Sequence, residues 1–272
     1  MYVNKNKKMA EIEEKRRIAR RKKIFRGAVF PSTAVVIVIL LVGSGIIPVH
    51  IPQYKPQFSP PSTMPWGKFA QISNKDLSSE VTIYYVSWYG CPIGATDSWA
   101  FYLALQHYGN ASLTYPVPHY SLSTDSFPDT PGLIFSHSVT FANVSFVPIY
   151  VYNQTITGTT NNQPIQGSLL VYGLSVLKNS MPSGVYALEY DIMETVPTHG
   201  FNGQASGAAN GHINTNVIIT GPKGVWALDG PLFSPSELKD ISASHLLDGG
   251  AANNPYIVSA GTAVLNAMEA AS

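Results

Sequence analysis

The chain has 272 residues, room for one membrane segment plus one sizeable domain, or two small ones. Seventeen Lys and Arg nearly balance 16 Asp and Glu, but 11 of these cations lie between Lys5 and Arg26; from Gly27 onward six lysines face 13 acids, a formal charge of −7. That sign argues against nucleic acid as a partner, because such binding needs clustered cations. The single cysteine, Cys91, excludes an internal disulfide.

In chain order, residues 1–27 form a basic tail. No residue from Gly27 to Tyr54 is charged, and Ala28 to Ile47 is almost continuously apolar, with Val35 to Val42 at its centre. About 20 such residues at 1.5 Å rise match the ~30 Å hydrocarbon layer. A helix is required there because lipid offers the backbone no partners. Cations flank only the N-terminal side, which predicts a single-pass anchor in the cell membrane: lipid bilayer around residues 28–47, N-terminus cytoplasmic, C-terminal domain outside. The rival, a cleaved signal peptide, has a shorter apolar region and a small-residue cleavage site that is missing here. Residues 48–65 hold Pro48, Pro52, Pro56, Pro60, Pro61 and Pro65 and read as an extended stalk, leaving residues 66–272 as an extracytoplasmic domain.

Val81 to Trp88 is β-branched and aromatic on both faces, which predicts a central strand covered on both sides. A turn at Tyr89 and Gly90 leads into Cys91-Pro92-Ile93-Gly94 and a helix from Ala95 to Tyr108, with Gly109 as its stop. Residues 110–200 read as a β-rich insertion, its clearest strands at Gly132 to Phe135, Val144 to Tyr152, Ser168 to Leu177 and Val185 to Met193. Asn110, Asn143 and Asn153 each open an Asn-X-Ser/Thr triplet. Gly200 to Gly211 reads as a mobile loop that approaches Cys91. Ile213 to Thr220 and Gly224 to Leu228 flank Gly221-Pro222-Lys223 as a hairpin. Ser234-Pro235-Ser236-Glu237 opens a helix running to about Leu247. Asn254-Pro255 opens a last helix with Ile257, Ala260, Val264 and Met268 on one face.

This order is compatible with an α/β domain of thioredoxin-like type carrying an insertion. Residues Gly90, Cys91, Pro92, Trp99, Ala100, Leu103, Ala104, Leu105, Tyr108 and Gly109, with Asn216 to Gly224, Leu232, Pro235 and Leu238 later, resemble an archaeal family known as domain of unknown function 929. The resemblance implies an N-terminal membrane helix, a thioredoxin-like region and a Cys-Pro-x-Cys-type turn. Here Gly94 stands where that turn has its second cysteine, and Asn210-Gly211-His212-Ile213 stands where a thioredoxin-like site has a proline facing the thiol. The family has no established activity to carry over.

Cys91 is the one chemically suggestive position. A thiol at a helix N-terminus meets the positive end of the macrodipole, which favours thiolate. With no resolving thiol, a mixed disulfide there is released only by an outside thiol. Two readings follow: a binding or scaffold module for an unknown protein partner, or a monothiol-disulfide oxidoreductase acting through Cys91 and Pro92. A subunit of an envelope complex is a third. Trp88, Tyr89, Gly94 and His212 are the candidate binding residues in either case. The histidines show no ligand spacing, so no metal is expected, and Glu189, Asp191, Glu194 and His199 read as strand-edge and loop polar residues. No Gly-rich phosphate loop and no Gly-x-Ser-x-Gly elbow occurs, and no cofactor is expected.

Overall fold

The computed structural model describes residues 61–141 and 143–272. The basic tail, the membrane span at 28–47 and the stalk as far as Pro60 lie outside the described residues, among which no helix is long and apolar enough to cross a membrane.

The centre is β2 (Val81–Ser87), which pairs in parallel with β6 (Val144–Tyr150) on one side and antiparallel with β7 (Asn216–Gly221) on the other. Its two-faced apolar sequence follows from that position, since both pleat faces are buried. β8 (Gly224–Asp229) closes the expected hairpin with β7, β1 (Ala70–Ser73) adds to β8, and β5 (Val139–Phe141) adds to β6. The result is a mixed six-stranded sheet in the order β1-β8-β7-β2-β6-β5. Met64 is buried and bridges Thr198, while Trp66 bridges Asp229, so close packing begins ahead of β1.

Helix α1 (Pro92–Tyr108) starts three residues earlier than its apolar run implies, because Pro92 serves as its first residue and Cys91 as its N-cap. Gly109 ends it in extended backbone (φ 175°), not in the left-handed conformation expected of a glycine stop. The glycine is needed there for space: a Cβ would sit 2.4 Å from the Phe141 ring. A separate two-stranded sheet, β3 (Pro116–Tyr120) with β4 (Pro131–Phe135), packs on α1, where Trp99 Nε1 donates to the Pro131 carbonyl at 2.9 Å.

Two predicted strands are helices. Ser168 to Leu177 falls in α2 (Leu169–Ser180), and Val185 to Met193 falls in α3 (Ser183–Tyr190) and the wide helical turn Asp191–Thr195 that continues it. Their buried residues, Leu170, Gly173, Leu174 and Leu177, then Val185, Glu189 and Ile192, recur with the helical period. β-branched content was the misleading signal; periodicity was the correct one. The insertion is therefore β-rich only up to Tyr150.

The loop at 200–211 contains a short helix, α4 (Ser206–Asn210), stopped by Gly211 at φ +71°. The helix expected from Pro235 to Leu247 is broken into a 3-10 turn (Pro235–Leu238) and a short α5 (Ala243–His245), because Asp240 takes a left-handed φ of 63° between them. Helix α6 (Pro255–Ala271) forms as expected, with Asn254 accepting from the N–H groups of Tyr256 and Ile257.

Alternate residues of the strands feed two cores. Ile83, Tyr85, Val217 and Ile219 pack with α1 and α6; Tyr84, Val86 and Ile218 pack with α2 and α3.

Candidate functional site

β2 ends at Ser87, and the chain turns sharply through Trp88, Tyr89 and Gly90. A side chain at Gly90 would collide with the Gln154 carbonyl, so the turn admits only glycine at this tightness. The turn delivers Cys91 to the N-terminus of α1, as the sequence predicts. The thiol is 5% exposed and lies at a cleft of about 670 Å³. Trp66, Trp88, Phe127, Ile156, His212 and Phe233 form much of its wall, a largely apolar lining of the kind that suits a bound ligand.

Beneath the thiol lies a chain of hydroxyls. Thr215 Oγ1 donates to Cys91 Sγ at 3.0 Å, and the same oxygen is 2.8 Å from Ser87 Oγ. Burial pushes the Cys91 thiol up from its ordinary value, against the opposing pull of Thr215 and of the Gly94 and Ile93 backbone. The helix N-terminus therefore does not prevail: desolvation keeps this thiol protonated at neutral pH.

Gly94 sits behind the cleft, where a Cβ would lie 2.1 Å from Ser87 Oγ and 3.1 Å from Thr215 Oγ1. The two hydroxyls thus fill the space next to the thiol that a side chain at this position would need.

The other expected site residues divide. Pro92 lines the cleft with Cys91, and the Trp88 ring meets His212 edge-on at 6.3 Å. Tyr89 turns away and packs 5.1 Å from Tyr150. Of the segment expected to face the thiol, Asn210 and His212 do line the cleft, but the direct partner is Thr215, two residues beyond Ile213. Asn214 was also missed. Its Oδ1 accepts from Asn210 Nδ2 at 2.8 Å, and its own Nδ2 is buried without an acceptor. The available signal was position: these are the last residues before the strand that lies beside β2.

A second polar cluster lies in the core under β7 and β8. Asn216 and Asp229 are cross-strand partners. Asn216 Nδ2 donates to Glu189 Oε1 at 2.7 Å, and Thr198 Oγ1 donates to Asp229 Oδ2 at 2.8 Å. Burial raises Glu189 to about 8 and Asp229 to about 6, the Thr198 and Ser206 hydroxyls offsetting part of the latter shift. Glu189 is therefore no strand-edge residue but a buried helical acid, held neutral below about 8. Asp191 and His199, grouped with it in the sequence, are exposed, and no cluster of three or more His, Cys, Asp or Glu among the described residues could hold a metal.

A family model described as Domain of unknown function (DUF929) matches residues 68–270. The chain belongs to this family. No curated protein and no solved structure matches it.

Proposed function

We propose that this DUF929 chain is a membrane-anchored, extracytoplasmic binding module of thioredoxin-like type that lacks the dithiol, with the cleft at Cys91 as the place where a protein partner is held. The thioredoxin-like reading rests on connectivity: a β2-α1-β6 unit with parallel strands, then helices α2 and α3, then the β7-β8 hairpin, then α6, with strand order β8-β7-β2-β6 around a thiol that begins the first helix. We read the chain as a divergent archaeal member of the family, with Gly94 in place of the second cysteine.

The observation that carries the binding reading is the pair Ser87 and Thr215, whose hydroxyls crowd Gly94 beside the only thiol. A dithiol cycle needs a resolving sulfur within reach, and this site has put two hydroxyls there instead.

The test is a photo-crosslinking amino acid at His212 or Phe127, compared with one at the exposed Lys178, in the full chain on intact cells. A single adduct from the cleft positions and none from Lys178 is expected; the same pattern from all three would overturn the reading. Protease added to intact cells is expected to remove the domain and leave residues 28–47 in the membrane, a topology that the uncharged apolar run and its one-sided cations support.

One observation favours the second reading, a monothiol-disulfide oxidoreductase: Thr215 donates directly to Cys91 Sγ, which stabilises a thiolate once it forms. Cys91-dependent turnover of a disulfide-bonded peptide with a small thiol as reductant would establish it.

A further inference from the structure

The three Asn-X-Ser/Thr triplets are alike in sequence and unlike in the fold. Asn110 is exposed directly after α1, and its Oδ1 accepts from the Ser112 N–H at 3.0 Å, so the amide oxygen is occupied and the amide nitrogen is not. Asn143 is exposed in the turn between β5 and β6. Asn153 is 8% exposed and its amide is used at both ends. Oδ1 accepts from the Thr157 and Gly158 N–H groups at 3.1 and 3.2 Å, and Nδ2 donates to Asn162 Oδ1 at 3.1 Å. This side chain ties the 153–162 loop together beside the backbone bond from the Asn153 N–H to the Gly158 carbonyl, and a sugar on its nitrogen would displace the bond to Asn162.

The two exposed triplets are also neighbours. Gly109 packs on the Phe141 ring, and the Val81 N–H donates to the Asn143 carbonyl at 3.2 Å. Both therefore lie at the end of the sheet where β2 begins. Cys91 and its cleft lie where β2 finishes, about 20 Å away for seven residues of strand. Asn153, by contrast, belongs to the cleft end, where the Tyr89 N–H donates to the Tyr152 carbonyl.

We infer that Asn110 and Asn143 are N-glycosylation sites and that Asn153 is not, so that glycans cover the end of the domain opposite the cleft and leave the cleft mouth bare. In the reaction, the asparagine Nδ2 attacks C1 of a sugar carried on a lipid-linked phosphate donor. The N–C1 bond forms, the C1–O bond to phosphate breaks, and the amide proton leaves with the phosphate product. The inference rests on the extracytoplasmic placement proposed above, since the donor and its transferase act on exported chain.

Full-length protein from its own host, digested and examined by mass spectrometry for site occupancy, is the test, run beside protease treatment of intact cells. Glycan mass is expected on the peptides of Asn110 and Asn143, with the Asn153 peptide bare. On a gel, Asn110→Gln and Asn143→Gln each remove one mobility step and Asn153→Gln removes none. Glycan at Asn153, or none at the other two in a domain that protease reaches from outside, overturns the inference alone. A domain spared by outside protease overturns the placement, and the inference with it.

Discussion

The two faces of the central sheet are covered in different ways. On one, α1 and α6 bury Trp99, Phe101, Leu105, Ile257, Val264 and Met268 against Ile83, Tyr85 and Phe146. On the other, α2 to α4 bury apolar residues together with Glu189, Asn216, Asp229, Thr198 and Ser206. Apolar burial stabilises at any pH, whereas a buried carboxyl does so only while it is neutral. The first face should therefore supply most of the domain's stability. The second, with two buried carboxyls, should carry much of its pH dependence, to which Asp97 on α1 adds, since burial raises that carboxyl well above its ordinary value despite the bond from the Leu232 N–H.

Trp99→Ala should cost the most, about 3–5 kcal/mol, since it empties a fully buried aromatic site and orphans the Pro131 carbonyl. Denaturant unfolding measures it, and the difference from wild type should be the same at pH 4 and pH 8. A cost that changed with pH would break the division between the faces.

The second face gives the next effect. Glu189 is raised from 4.5 to about 8 and Asp229 from 3.8 to about 6. Both folded values lie above the unfolded ones, so the carboxyls contribute stability fully below about pH 4. That contribution is lost as pH rises through 6 and then 8. The unfolding free energy should fall between pH 4 and pH 8 by an amount on the order of a few kcal/mol, and Glu189→Gln should flatten the slope, with Asp229 and Asp97 carrying the remainder. A wild-type domain that loses stability toward pH 4 would contradict this.

Gly94→Ala sharpens the comparison at the cleft. Its methyl meets Ser87 Oγ, and overpacking of about 1–3 kcal/mol is expected, relieved when combined with Ser87→Ala. Thermal melts of the single and double variants decide it. Cys91→Ser should change stability least, by under about 1 kcal/mol, because the hydroxyl can still accept from Thr215.

The legible parts were those with strong local chemistry: the two-faced strand at Val81, Cys91 at a helix start, the hairpin around Gly221-Pro222-Lys223, and Asn254-Pro255 opening the last helix. The second face was misread because Val171, Tyr172 and Val176, then Val185 and Tyr186, carry strand-prone side chains on helices whose stability comes from tertiary packing. Thr215 could not be picked from sequence as the residue facing the thiol, since its partner Cys91 is 124 positions away. Glu189 read as a strand-edge or loop polar residue, and Asp229 drew no reading at all, because nothing local marks a carboxyl that distant elements will bury.

The pH dependence of Cys91 alkylation tests the account of the cleft most directly. With iodoacetamide, native protein should label far more slowly than unfolded protein from pH 6 to pH 8, because burial raises the thiol and restricts access. Native labelling at pH 6 that outpaces the unfolded chain, and disappears in Cys91→Ser, would contradict it and make the thiol a reactive nucleophile.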